Sequence, residues 1–236
     1  MEELLNPRHD SVRRFLDRWY GTSREAGQAA FPAMEDIPHE LVDWHAAAVA
    51  TGVPVTFADR PVPPADLRRA ADGMIVFWIE NQHGYYWAVD PSTEDHAVFH
   101  REHSSDAWRP TGETLEEFLL HHTVREALLG AAAKFSAVLP TESLESGTPV
   151  GFAALSFPPA VNESPSARLL CSADVLARIA PAPAGYAPQG EERWMVTVAT
   201  ARGAHLLRYR AGLEPYVLER PREAERAAVP FAAPPF

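Results

Sequence analysis

Cysteine is nearly absent. Cys171 is the only one in 236 residues, so no internal disulfide can form, and the composition points to a reducing cytoplasm. Flanked by Leu169 and Leu170, this thiol reads as a small buried hydrophobe; a nucleophile would need a base beside it. No apolar run reaches the roughly 20 residues that span a bilayer, so no membrane contact is expected. The opening MEELLNPRHD carries two glutamates and no apolar segment, unlike a secretory signal. Lysine is scarce as well: Lys134 stands alone against 20 arginines, a coding bias that carries no function. A glycine-rich phosphate cradle, a Gly-x-Ser-x-Gly elbow and a repeat of solenoid length are all missing. These absences direct the reading away from catalysis.

Acid is present in excess, and it is unevenly placed. The chain has a formal net charge of -11. Residues 1–135 hold 22 Asp and Glu against 12 Lys and Arg, whereas residues 136–236 hold 10 against 9. Such a surface repels a phosphate backbone, so nucleic acid is not the expected partner. A basic protein would be attracted and steered to it. Solubility alone is the plainer explanation of the same excess.

Hydrophobic spacing then gives an order of elements. Ser11 is placed to cap a helix with Val12, Phe15, Leu16 and Trp19 on one face, ended by Gly21. A second helix opens at Pro38, with Leu41, Trp44, Ala48 and Val49 in register, and Gly52 closes it. Four prolines (54, 61, 63, 64) surround Val55–Phe57, a candidate edge strand. The stretch MIVFWIENQHGYYWAVD, residues 74–90, reads as two strands and a tight turn, with Gly84 free to take positive φ. Ala97–His100 adds a third strand. Thr114 and Glu117 form a capping box for a helix running to Gly130, with Leu115, Phe118, Leu119 and Leu128 inward. Trp19, Trp44, Trp78 and Phe118 sit in periodic apolar patterns and are expected in the core. Beyond residue 135 the spacing predicts a strand over 150–157, a short helix over 172–179 and a hairpin from 193–199 and 204–209. Residues 215–218 are expected to pair with that hairpin. The terminal PFAAPPF is excluded from regular helix or central strand by its prolines. The class is α+β, with helices against a sheet in residues 1–135. Residues 136–236 form either a β-rich extension of that sheet or a small α+β domain.

Three short patterns occur in order along the first half. Asp36-Ile37-Pro38 precedes Leu41; Glu80-Asn81-Gln82-x-Gly84 precedes Tyr86-Trp87-Ala88-Val89; and Trp108 precedes Thr114-Leu115-x-Glu117-Phe118-Leu119. Together they resemble the SUKH superfamily, named in part after a fungal cell-wall assembly regulator. Its bacterial members are known mostly as immunity proteins of polymorphic toxin systems. The resemblance covers roughly residues 10–135. Where many members carry Asn-Gly after the second helix, this chain reads Ala50-Thr51-Gly52. The resemblance implies a mixed or antiparallel sheet with helices packed on one side. It also implies binding without catalysis or cofactor, the partner being a basic toxin domain such as a nuclease, whose phosphate-attracting site an acidic inhibitor can exploit. A regulatory module with a non-toxin partner is the alternative.

The candidate partner-facing residues are Asp90, Glu94, Asp95, Glu102 and Asp106, with Tyr85 as an aromatic anchor beside them. Solvated loop charge is the bland account of the same acids. Strand alternation sets Tyr85 and Trp87 on one face and Tyr86 and Ala88 on the other, one of which must be core. The Glu80–Gly84 turn reads either as a partner contact or as a turn that satisfies its own amides. His96, His100 and His103 would share a helical face able to hold zinc, which would make a metal-dependent hydrolase the third alternative. In the extended conformation expected here His103 points away from the other two, so no metal is assigned. Neither His121-His122 nor Ser104-Ser105-Asp106 beside His103 has the context of a known site.

Overall fold

Two five-stranded antiparallel sheets with one long helix between them form the framework of the chain, and the fold is α+β. The computed structural model describes residues 1–23, 37–145, 151–186, 191–203 and 206–218. Among the described residues three helices come first: α1 (Glu2–Leu5), α2 (Ser11–Tyr20) and α3 (His39–Ala50). The position before α2 belongs to Asp10, so Ser11 is the first helical residue, and its Oγ accepts from the Arg8 amide at 2.7 Å. Pro38 likewise stands just before α3, and Gly21 and Gly52 take positive φ where the helices end.

The first sheet runs β1 (Arg60–Pro61), β2 (Ile75–Ile79), β3 (Tyr85–Val89), β4 (Ala97–Glu102), β5 (Arg109–Thr114), in that spatial order. Val55–Phe57 forms no strand; the edge strand lies five residues further on, at Arg60–Pro61. In the β2–β3 turn the positive φ belongs to His83 (61°) and not to Gly84. A Cβ at 84 would meet Glu80 Oε2 at 3.4 Å, an ordinary contact, so neither backbone conformation nor space demands glycine there. A register shift between Val76 and Trp78 bulges Phe77 out of the ladder. The bulge lets two successive aromatics, Phe77 and Trp78, enter one core.

Helix α4 (Leu115–Gly130) follows with the expected capping box: Thr114 Oγ1 accepts from the Glu117 amide, and Glu117 accepts from the Thr114 amide. It is buried on nearly every side. Leu115, Phe118 and Leu119 join Leu16, Leu41, Trp44, Trp78 and Trp87 over the first sheet. Leu120, Val124, Ala127 and Leu128 join Phe15, Trp19, Leu169, Cys171 and Leu176 towards the second. Trp19, Trp44, Trp78, Phe118 and Cys171 are therefore core residues.

The second sheet comprises β6 (Ala133–Pro140), β7 (Ala153–Ala154), β8 (Arg168–Ser172), β9 (Val175–Pro181) and β10 (Arg193–Thr200), in the order β6-β10-β9-β8-β7, with the short helix α5 (Thr141–Glu145) after β6. Three expectations are corrected here. Residues 172–179 are not a helix: they hold a turn and most of β9, which pairs with β8. The strand expected after residue 204 is helix α6 (Leu206–Leu213), which packs Leu206, Tyr209 and Leu213 on the far face of the sheet. Val217 bridges to Ala137 of β6 and not to a terminal hairpin. Of residues 150–157 only Ala153–Ala154 is strand, and Val150 lies outside the described residues, as does the terminal PFAAPPF. No helix among the described residues is long and apolar enough to cross a membrane.

Candidate functional site

Antiparallel pairing decides which of the expected acids meet. Asp90, Glu94 and Asp95 lie at the β3–β4 turn, at one end of the first sheet. Glu102 and Asp106 lie at the β4–β5 turn, with all of β4 between the two groups. The five acids therefore do not form one patch. Asp90 accepts from both the amide (2.9 Å) and the hydroxyl (2.6 Å) of Ser92, and these bonds hold its carboxyl below the usual range. Glu94 and Asp95 are exposed.

Three further acids join the first group, of which the sequence marked only Glu117, and that as a helix cap. His96, at positive φ (46°), bonds through Nδ1 to Glu40 of α3 at 2.9 Å, and its carbonyl accepts the Leu115 amide at the head of α4 at 3.0 Å. This junction brings Glu40, Glu116 and Glu117 to the same end of the sheet as Asp90, Glu94 and Asp95. Burial raises the Glu116 carboxyl, and the charges of Glu40 and Glu117 push it the same way, while His9 and His39 oppose the rise. The result is an end of six carboxylates, with Arg69 near Asp90 and His9 and His39 near Glu116.

Tyr85 is not the exposed anchor expected beside the acids. It packs against the first core and tilts over Trp87 at 6.3 Å. The core face is thus the one carrying Tyr85 and Trp87, and the outward aromatic is Tyr86. His103 stacks on Tyr86 (5.9 Å) and meets its hydroxyl through Nδ1 at 2.9 Å. Arg101 lies over the Tyr86 ring (5.7 Å) and the Trp108 ring (4.5 Å), and Trp108 donates to Asp72 at 2.9 Å. His96, His100 and His103 thus face Glu40, the sheet core and Tyr86 respectively. Ser105 Oγ accepts from Ala107 inside its own turn, at 3.2 Å.

Residues carrying the first two sequence patterns fall into two groups. Ile37, Pro38, Leu41 and Trp87 support the first core, and Asp36 lies outside the described residues. Glu80, Asn81 and Gln82 instead line an open cleft of about 1150 Å³ between the two sheets. Glu80 Oε2 accepts from the amides of Gln82 (2.9 Å) and Gly84 (3.0 Å), so its charge stiffens the turn. Across the cleft stand Arg125 of α4, Arg178 of β9 and Glu163.

Behind Arg125 lies a buried polar cluster that helical periodicity alone does not reveal. Glu126 accepts from the amides of Phe57, Ala58 (2.8 Å) and Asp59 (3.0 Å). Burial, reinforced by the Glu126 charge, raises the Asp59 carboxyl to about 6. His122 Nδ1 lies 3.8 Å from Asp59, while its ring stacks on Phe118 at 3.8 Å. Burial holds this histidine neutral, well below its ordinary value. Its neighbour His121 bonds to Glu113 at 2.9 Å. No group of three His, Cys, Asp or Glu able to hold a metal occurs among the described residues.

No family model, curated protein or solved structure matches this chain.

Proposed function

We propose that this chain is a non-catalytic binding protein, an immunity protein that covers a basic toxin domain, a nuclease being the natural target. The observation that carries the reading is the gathering of six carboxylates at the β3–β4 end of the first sheet. A summed field of that kind steers a cationic surface towards it and favours the register in which opposite charges meet. The SUKH-like patterns support the same reading, because Ile37, Pro38, Leu41 and Trp87 build the scaffold that presents this end. Occlusion of this kind needs no cofactor and no covalent step.

The test is capture of the partner from the native host at low and high salt, with the wild-type protein and with a Glu94→Lys, Asp95→Lys variant. Asp90 is left intact because its carboxylate closes the turn. A single basic domain retained at low salt, released at high salt and lost with the variant is the expected result. A partner held equally well in every arm would move the function to a regulatory module whose target is not a toxin.

A further inference from the structure

The cleft between the sheets has a chemistry opposite to that of the acidic end. One cross-strand row of the second sheet, Ser136, Thr197 and Arg178, faces into it. Arg125 enters from α4, with its side chain only 10% exposed. Both guanidinium groups converge on a single carboxylate oxygen: Glu163 Oε1 lies 3.1 Å from Arg125 Nη2 and 3.2 Å from Arg178 Nε. The first contact is a hydrogen bond. The second lacks hydrogen-bond geometry, so the Arg178 Nε is a buried donor without a partner.

Apart from Glu163, held through one oxygen between the two arginines, the acids around the cleft are engaged elsewhere. Glu80 is held by two amides of its own turn, and Glu126 by three amides of the 57–59 segment. Asp59 has a side chain 7% exposed and turned against His122. The arginines retain unused donors. A guanidinium has five donors in a planar fork, whereas Arg125 makes one bond to Glu163 and one long contact to His122 Nδ1 (3.4 Å). A buried donor without an acceptor is costly, and a forked pair of arginines matches the oxygens of phosphate or carboxylate.

We propose that this cleft binds a small oxyanion-bearing ligand, its phosphate or carboxylate taking the donors of Arg125 and Arg178 that Glu163 leaves unused, beside the Ser136 and Thr197 hydroxyls. Arg125 is too deeply set for a broad protein surface to reach, so the anion must belong to a molecule able to enter. Leu128 and Leu169 offer that molecule an apolar wall, and the volume admits a metabolite-sized ligand. The site is separate from the acidic end: the β2–β3 turn that borders it lies at the opposite end of the first sheet from the β3–β4 turn.

Titration calorimetry of the full chain with inorganic pyrophosphate and, separately, with citrate at fixed ionic strength tests the site. One-to-one saturable binding of at least one anion is expected, and the tighter of the two identifies the ligand as a phosphate or a carboxylate. Arg178→Gln should weaken it at least tenfold. Thr197→Val, which removes one hydroxyl and leaves the charges in place, should weaken it about threefold and is decisive if the first variant does not fold. Absence of saturable binding by both anions, or unchanged affinity in the variants that fold, overturns the proposal.

Discussion

Because Glu126 faces three consecutive amides from the buried side of α4, backbone dipoles stabilise its charge without a directly paired cation. Replacing it with Gln leaves only one carbonyl oxygen for three donors. Glu126→Gln is therefore expected to cost about 1–3 kcal/mol in denaturant unfolding. It should also let the Asp59 carboxyl fall from about 6 towards the ordinary range, since Glu126 is the second cause of its elevation after burial. Carboxyl titration by NMR reads that shift, and an Asp59 unmoved in the variant would remove the Glu126 charge as a cause. Nothing near Glu126 in the sequence marks this role, because its partners lie 67 to 69 residues away. His45 gives a second prediction at this scale. Burial lowers it from 6.5 to about 4, against a hydrogen bond to the Val62 backbone. Above pH 6.5 the ring is neutral in both the folded and unfolded states. As the pH falls towards 4 only the unfolded ring takes a proton, so stability is lost across that window. His122 acts in the same direction. Urea unfolding of His45→Gln should lose roughly 1–2 kcal/mol less between pH 7 and 4.5 than the wild type does. Equal losses would remove His45 as a source of acid sensitivity.

Local signals fixed some elements and misled at others, and the difference is physical. The capping box at Thr114 is legible because both of its bonds join residues three apart. Thr114→Ala should destabilise the protein by about 1 kcal/mol in the same unfolding assay, and no loss would mean that tertiary burial alone holds the start of α4. Strand β5 was not legible, since Arg-Pro-Thr-Gly-Glu-Thr carries a proline and a glycine and no alternation. It is tolerated because it forms the open edge of its sheet. Residues 172–179 read as helix because Val175, Leu176, Ala177 and Ile179 are apolar at both helical and strand spacing; pairing with β8 decides between them. The 206–213 segment shows the reverse error. Leu206, Tyr209 and Leu213 do lie at helical spacing, and the helix becomes stable only by packing on the far face of the second sheet. The candidate site was legible by charge but not by assembly. Asp90, Glu94 and Asp95 stand out as a turn, whereas Glu40 reaches them through a bond from His96 that spans 56 positions.

At the scale of the whole molecule, the change from one sheet to the other falls between β5, ending at Thr114, and β6, beginning at Ala133. A cut near residue 135 falls inside β6, and even a cut just before Ala133, which separates the two sheets, does not separate two cores. Helix α4 contributes Leu115, Phe118 and Leu119 to one hydrophobic cluster and Leu120, Val124, Ala127 and Leu128 to the next. The second cluster is closed by Leu169, Cys171, Leu176 and Ala199 from the second sheet. Residues 1–135 expressed alone would leave Leu120, Val124, Ala127 and Leu128 of α4, together with Phe15 and Trp19, without their cover. Each buried aliphatic or aromatic side chain stabilises the fold by about 1.5–3 kcal/mol, and a domain's whole margin is only about 5–15 kcal/mol. The isolated segment is thus expected to bind a hydrophobic dye and to unfold without a cooperative transition, while the full chain unfolds in a single transition seen alike by far-ultraviolet dichroism and tryptophan fluorescence. A stable, cooperative 1–135 fragment would show that the first sheet needs nothing from the second, and the acidic end could then be studied on the fragment alone.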